Sequence, residues 1–437
     1  MNTNSDNKNG VATAMNSCGD KAPAVKKPEL VVGAGDMEKL KVAAHFGADS
    51  IYCGASDFSL RAKGRNFSRD ELAYAADYLH KLGRKIYITV NAIMHEDRLD
   101  DLDDYLLFLD SINADAVIFS DMAVLSAARR LGIKPRLHLS TQASAANSRA
   151  IEFYRANGVA RVNLARECSL AEIEKFPRFA DISLEAFIHG AMCVSYSGRC
   201  LLSNFLAARG ANDGACAQAC RWKYHIVEEK RPGEYMPVAE DFEGRGAYIF
   251  NSRDLMALEL LPRLYNAGIT AFKIEGRIKG PHYVGLVTLA YRKAFDAFYD
   301  ALLGGREFKP APEIYDMLNS ISNRGYITGF YLDRAGASSH NYESSDYIKT
   351  YRLVGVVKSR LAADEFLISV KNNITAGRTY EFVTNEGIFP AEISMMKTPD
   401  GEIKPKAVNP NEVIISLASQ TNIAPGESDL IRERNCD

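Results

Sequence analysis

From Glu29 onward the chain repeats one pattern, a short apolar or β-branched run followed by a longer amphipathic segment. The runs are ELVVGAG (29–35), SIYCGA (50–55), KIYITVNA (85–92), AVIFSD (116–121), RLHLST (136–141), RVNLARE (161–167), ISLEAFIHG (182–190) and AFKIEG (271–276). Runs this short and this rich in Val, Ile, Tyr and Phe predict strands. Between them, Met37, Leu40, Ala43 and Ala44 recur at helical spacing behind a capping Asp36, and Leu72, Ala75, Ala76 and Leu79 repeat the spacing behind Ser68. Eight such units within residues 28–302 predict an α/β fold of the closed (β/α)8 TIM-like barrel type. An open doubly wound sheet fits less well, because no strand runs into a G-x-G-x-x-G turn.

The interval from Cys193 to about Tyr248 breaks this rhythm and predicts a cysteine-rich excursion before the last strand, at the end of the barrel where active sites lie. A long apolar helix, PHYVGLVTLAYRKAFDAFYDAL (281–302), closes the barrel region. Residues 303–350 read as a covering or linker segment with SNRGYITGFY (322–331) at its centre. From Tyr351 the style becomes β-rich, with YRLVGVVKSR, EFLISVKN, TYEFVTNEG and EVIISLA, which predicts a small C-terminal antiparallel β-barrel over 351–437. Residues 1–27 are polar and aperiodic, as expected of a disordered tail.

Charge narrows the partners. Across 437 residues, 53 Lys and Arg nearly cancel 55 Asp and Glu, which excludes a uniformly basic nucleic-acid binder while leaving room for a local basic patch. Mean hydropathy is −0.18 and no run of about 18 apolar residues occurs, so no membrane span is expected. The N-terminus lacks the apolar core of a secretory signal, so the expected location is the cytoplasm.

Four of the eight cysteines, Cys193, Cys200, Cys216 and Cys220, crowd the excursion at spacing C-x6-C-x15-C-x3-C. Four thiolates suit a tetrahedral zinc site or a [4Fe–4S] cluster; unligated buried cysteines are the other reading. Arg199, Arg209, Arg221 and Lys223 would offset thiolate charge. Cys18, Cys53, Cys168 and Cys436 stand alone and read as packing or surface residues.

Polar side chains at the predicted C-terminal strand ends, among them Asn91, Thr141, Gln142, Arg166 and Glu167, face the catalytic end of a barrel. Glu185 and His189 lie just ahead of the cysteines, suited either to acid–base work or to tying the excursion down. Lys273, Glu275 and Arg277 alternate, so they share a face; Phe272 and Ile274 suit the helix side, which turns the charged triplet inward. Such a triplet either forms a salt-bridge network or binds a small dicarboxylate through Lys273 and Arg277, with Glu275 as balance or proton carrier. Arg253 and Asp254 form a second candidate pair, and Asp254 is also placed to cap the following helix. No P-loop, H-E-x-x-H or G-x-S-x-G occurs.

EAFIHGAMCVSYSGRC (185–200) and RGANDGACAQACRW (209–222), with FNSRDL (250–255) and FKIEGRIKGPHYV (272–284), resemble the signature of the peptidase U32, or collagenase-like protease, family. The resemblance covers most of residues 29–300, and the β-rich tail resembles that family's small C-terminal domain. It implies a [4Fe–4S] cluster on Cys193, Cys200, Cys216 and Cys220. For members of this length it implies prephenate-dependent 5-hydroxylation of the tRNA wobble uridine. On that reading the β-rich C-terminal domain is expected to help grip the tRNA, and the near-neutral charge leaves room for a second family protein to present it. The alternatives within the family are hydroxylation of a ribosomal RNA base and peptidase activity. A peptidase would need an unligated Cys193 or neighbour partnered by His189.

Overall fold

A computed structural model describes residues 26–435 apart from 56–57, 60–65, 193–194, 212–215, 223–225, 228–234, 237–251, 333–346 and 419–422. Cys193, Cys436 and nearly all of the expected N-terminal tail lie outside the described residues.

All eight expected strands form: β1 (Glu29–Gly33), β2 (Ser50–Cys53), β3 (Lys85–Val90), β4 (Ala116–Phe119), β5 (Arg136–Leu139), β6 (Arg161–Asn163), β7 (Ser183–Ala191) and β8 (Ile269–Ile274). They pair in parallel in chain order, and β8 pairs with both β7 and β1, which closes the barrel. The pleat sorts each strand. On β8, Phe272 turns outward to pack against Phe295, the rings tilted and their centroids 5.1 Å apart, while Ala271 joins Val31, Tyr52, Tyr87, Ala116 and Ile118 in an apolar cluster of its own.

Helices α1 (Met37–His45) and α2 (Arg69–Lys81) start where the pattern places them. Asp36 accepts the Lys39 N–H at 3.0 Å, and Ser68 and Glu71 form a reciprocal capping box. The long helix Pro281–Leu303 packs against α1, the helix Pro312–Ser320 and β1. In the covering segment, Tyr326–Ile327 pairs with a short strand, Asp254–Met256, which itself runs antiparallel to the end of β7. Asp254 therefore caps no helix. Its carboxylate meets the buried Arg324 guanidinium at 2.5 Å and ties the covering segment to the base of the excursion.

The C-terminal barrel closes from six antiparallel strands: β9 (Tyr351–Arg360), β10 (Glu365–Val370), β11 (Arg378–Val383), β12 (Ile388–Lys397), β13 (Glu412–Leu417) and β14 (Leu430–Arg434). It docks on the helical side of the larger barrel. Val356, Val383 and Leu430 join the large core, His45 meets Asp429 at 2.5 Å, and Arg432 donates to Ser320 at 2.7 Å. Among the described residues no helix is long and apolar enough to cross a membrane.

Candidate active site

At the centre of the barrel four charged side chains form a chain of ion pairs. Glu29 meets Arg161 at 2.6 Å, Arg161 meets Glu185 at 3.2 Å, and Glu185 meets Lys273 at 2.8 Å. Two positive and two negative groups cancel, which is how so polar an interior is tolerated away from water. Burial raises the Glu29 pKa, but Arg161, Ser50 and Tyr87 outweigh it and hold that carboxyl down at about 2. The Lys273 ammonium also lies 4.2 Å from the centre of the Tyr52 ring.

Above this network, at the C-terminal ends of the strands, lies a cavity of about 180 Å³. It is smaller than the roughly 300–1,000 Å³ usual for drug-sized ligands, so it suits a compact one. Lys273, Glu275 and Arg277 all reach it, which brings the predicted triplet together. Arg277 is held by Ser59 at 2.7 Å, Thr89 at 3.2 Å and Asn66 at 3.0 Å. Glycine at position 54 makes room for that guanidinium: a Cβ there would stand 2.2 Å from Thr89 Oγ1 and 3.1 Å from Arg277 Nη2. Glu275 accepts from the Tyr52 hydroxyl at 3.3 Å and lies 3.6 Å from Arg166, whose guanidinium caps the Phe187 ring at 3.9 Å.

The excursion forms the outer wall. Glu167 accepts from both Ser197 N–H and Ser197 O–H at 2.9 Å, and Ser144 donates to the Ser197 carbonyl at 2.9 Å. Gly198 follows with φ +73°, and a Cβ there would meet the Gln142 carbonyl oxygen at 2.2 Å, so only glycine lets the excursion press this close to the barrel. Cys200, Cys216 and Cys220 all line the cavity. The Gln218 N–H donates to Cys216 Sγ at 3.4 Å, and Ser203 accepts the Ala217 N–H at 2.8 Å. Soft thiols flanked by arginines suit zinc or an iron–sulfur cluster. Among the described residues no group of three or more His, Cys, Asp or Glu gathers closely enough to hold a metal ion, so Cys200, Cys216 and Cys220 line one cavity without converging on a common point.

Three predicted residues lie outside the cavity lining. His189 is buried behind β7 among Tyr283, Tyr291 and Tyr326, with ring centroids 5.3–5.8 Å away. Burial, only partly countered by Asp254, holds its pKa at about 3. Arg253 lies beside Gly325, outside the cavity lining. Glu185 sits under the cavity and anchors Lys273. Sequence reasoning missed Lys279 and Tyr347 as cavity residues, while Arg221, expected beside the thiols, also reaches the cavity. Tyr347 comes from the covering segment; burial raises its pKa, but Lys279, Arg324 and Arg221 more than offset that and lower it. A wider cleft of about 610 Å³ between the two barrels, lined by Asp316, Tyr351 and Arg432 among others, holds no thiol or histidine.

The buried histidines set an acid limit on the fold. His189 and His282 stay neutral down to about pH 3 when folded, whereas an unfolded histidine takes up a proton near 6.5. The unfolded state thus binds more protons as pH falls below 6.5, and stability drops with it. Each histidine should cost about 2 kcal/mol between pH 7.5 and 5. Thermal melts across that range should show the fall, and His282→Phe should remove one histidine's share of it, leaving that of His189 and of the equally buried His138.

Residues 35–341 match the pattern of peptidase family U32, and residues 349–432 match that of the family's C-terminal domain. The chain is 38% identical to tRNA hydroxylation protein P1 of Bacillus subtilis over 332 residues, covering 76% of this chain and 77% of that one. It is 32% identical to tRNA hydroxylation protein P of Escherichia coli over 422 residues, 87% and 91% of the two chains. A collagenase of Porphyromonas gingivalis is 30% identical over 373 residues, 80% and 87%. With both patterns matched in order and the described thiols of the four-cysteine signature facing the cavity, this chain belongs to peptidase family U32.

Proposed function

We propose that this protein hydroxylates a uridine base of tRNA at C5, at the wobble position, taking the oxygen from a small organic acid such as prephenate and not from molecular oxygen. The observation that carries the reading is the cavity lining: Arg166, Arg221, Lys273, Arg277 and Lys279 oppose a single carboxylate, Glu275, with three signature thiols beside them. That excess of positive charge favours a carboxylate-bearing ligand. The relatives named for tRNA hydroxylation support an RNA base as acceptor.

Arg277, fixed by Ser59, Thr89 and Asn66, offers a guanidinium already oriented to grip a carboxylate. Lys273, steadied by Glu185, supplies a second charge deeper in. Glu275, hydrogen-bonded by Tyr52, is positioned to hold the proton displaced from the base. In the net exchange, donor C–OH plus base C–H become donor C–H plus base C–OH. The base is oxidised by two electrons and the donor reduced by two. A [4Fe–4S] cluster held by Cys193, Cys200, Cys216 and Cys220 would supply electron-transfer or Lewis-acid chemistry to that exchange. The peptidase reading has less behind it. Its expected base, His189, lies outside the cavity lining and is packed among Tyr283, Tyr291 and Tyr326.

Arg277→Ala should lower wobble hydroxylation at least about 100-fold, since it removes the best-oriented grip on the donor. Iron content should stay close to wild type, while melting should fall, because the change also removes the hydrogen bonds to Ser59, Thr89 and Asn66. Cells grown without oxygen should still accumulate hydroxyuridine-derived nucleosides, measured by mass spectrometry of digested tRNA. Their disappearance on removal of oxygen alone would count against an organic donor.

A further inference from the structure

The excursion carries apolar surface with no role in the chemistry above. Phe205 is 87% exposed and Tyr196 72%, the two most exposed large apolar side chains among the described residues. Leu201, Leu206 and Trp222, the chain's only tryptophan, are exposed in the same excursion. These positions belong to one body: the short helix Leu202–Ala207 packs on the turn Ala219–Arg221, and Ser203 is buried where it accepts the Ala217 N–H. The excursion is tied to the barrel where Ser197 donates twice to Glu167, next to Tyr196. The surface adjoins the cavity, because Tyr196 and Arg221 both line it.

Charge identifies the occupant. The stretch 195–222 holds Arg199, Arg209 and Arg221 against one acidic residue, Asp213, in a chain whose net charge is −2. Aromatic residues interleaved along the sequence with arginines, with Tyr196 and Arg221 reaching the cavity, suit an unpaired nucleic-acid loop: bases stack on rings and phosphates meet guanidinium groups.

We propose that Tyr196, Phe205 and Trp222 form a stacking platform for the unpaired tRNA nucleotides flanking the base that enters the cavity, with Arg199, Arg209 and Arg221 taking their phosphates. This rests on the tRNA reading above and names how the loop is gripped. The platform explains how a nearly neutral protein binds RNA without a broad basic face.

The test uses full-length anaerobically prepared protein and an unmodified anticodon stem-loop RNA. Trp222 fluorescence should be quenched on binding. Phe205→Ala and Tyr196→Ala should each weaken binding about 5- to 150-fold, the range for loss of one base stack. Phe205→Tyr should restore affinity, whereas Phe205→Leu should not, because stacking needs a ring and a merely apolar contact does not. Iron content and melts of each variant establish that it is folded. Unchanged affinity in folded Phe205→Ala and Tyr196→Ala, or rescue by Phe205→Leu, overturns the platform. So does a wild-type dimer in sedimentation that Phe205→Glu dissolves, since a second copy would then cover the patch. Nucleoside analysis of cells bearing each variant separates the two claims. Hydroxylation by wild type with no binding defect in the variants sinks the platform alone, and stem-loop binding that depends on the rings without any hydroxylation sinks the proposed reaction alone.

Discussion

Alanine at Cys200, Cys216 or Cys220 should remove most of the iron from anaerobically purified protein and cut tRNA hydroxylation at least about 100-fold. Changes merely to residues behind metal ligands typically cost about 10- to 100-fold, and loss of a ligand costs more. All three thiols face the cavity, so the loss should fall on the chemistry and not on the barrel, whose core lies elsewhere. Cys53→Ala and Cys168→Ala give the contrast. Both thiols are buried in that core, and their replacement should affect stability while leaving iron in place. Stoichiometric zinc with no iron in protein kept anaerobic throughout would contradict the cluster assignment.

Glu185→Ala should produce the largest loss of stability from any single change in the barrel interior. The carboxylate is the shared partner of Arg161 and Lys273, and both cations are buried. Removing it strands positive charge where water cannot reach, at a cost of about 3–5 kcal/mol. Melting should fall by about 5–15 °C. Glu185→Gln keeps hydrogen-bonding capacity and should lose less. Because Lys273 would also lose its anchor, donor affinity should weaken alongside stability. A melt for Glu185→Ala within a degree or two of wild type would mean that the ion-pair chain is not what holds the interior together.

The barrel was legible because period-two burial and helical spacing are local signals, each readable within ten residues. Strand ends were less so. RVNLARE was read as a strand through Glu167, yet β6 stops at Asn163, where the chain turns and Ala165 bonds Ala145. In the C-terminal barrel two strands went unread. β12 carries Pro390, and a register shift between Ile393 and Met395 breaks its alternation. β14 reads LIRER, and its Arg432 and Glu433 are buried only because Glu381 and Arg352 lie across the sheet. The same reason hid part of the site. Arg161 looked like the polar start of a strand, and its partners lie 132 and 24 residues away. Tyr347 reaches the cavity from the covering segment, where no local pattern marks it. The inward triplet was visible because it is contiguous, and so were the cysteines.

The central claim is tested most directly by mass spectrometry of nucleosides from total tRNA of a strain lacking this gene and any second copy of the family. The same strain complemented with wild-type protein serves as the comparison. The account predicts that hydroxyuridine-derived nucleosides vanish in the deletion and return with wild type but not with Arg277→Ala. Their persistence at wild-type level in the deletion would contradict it.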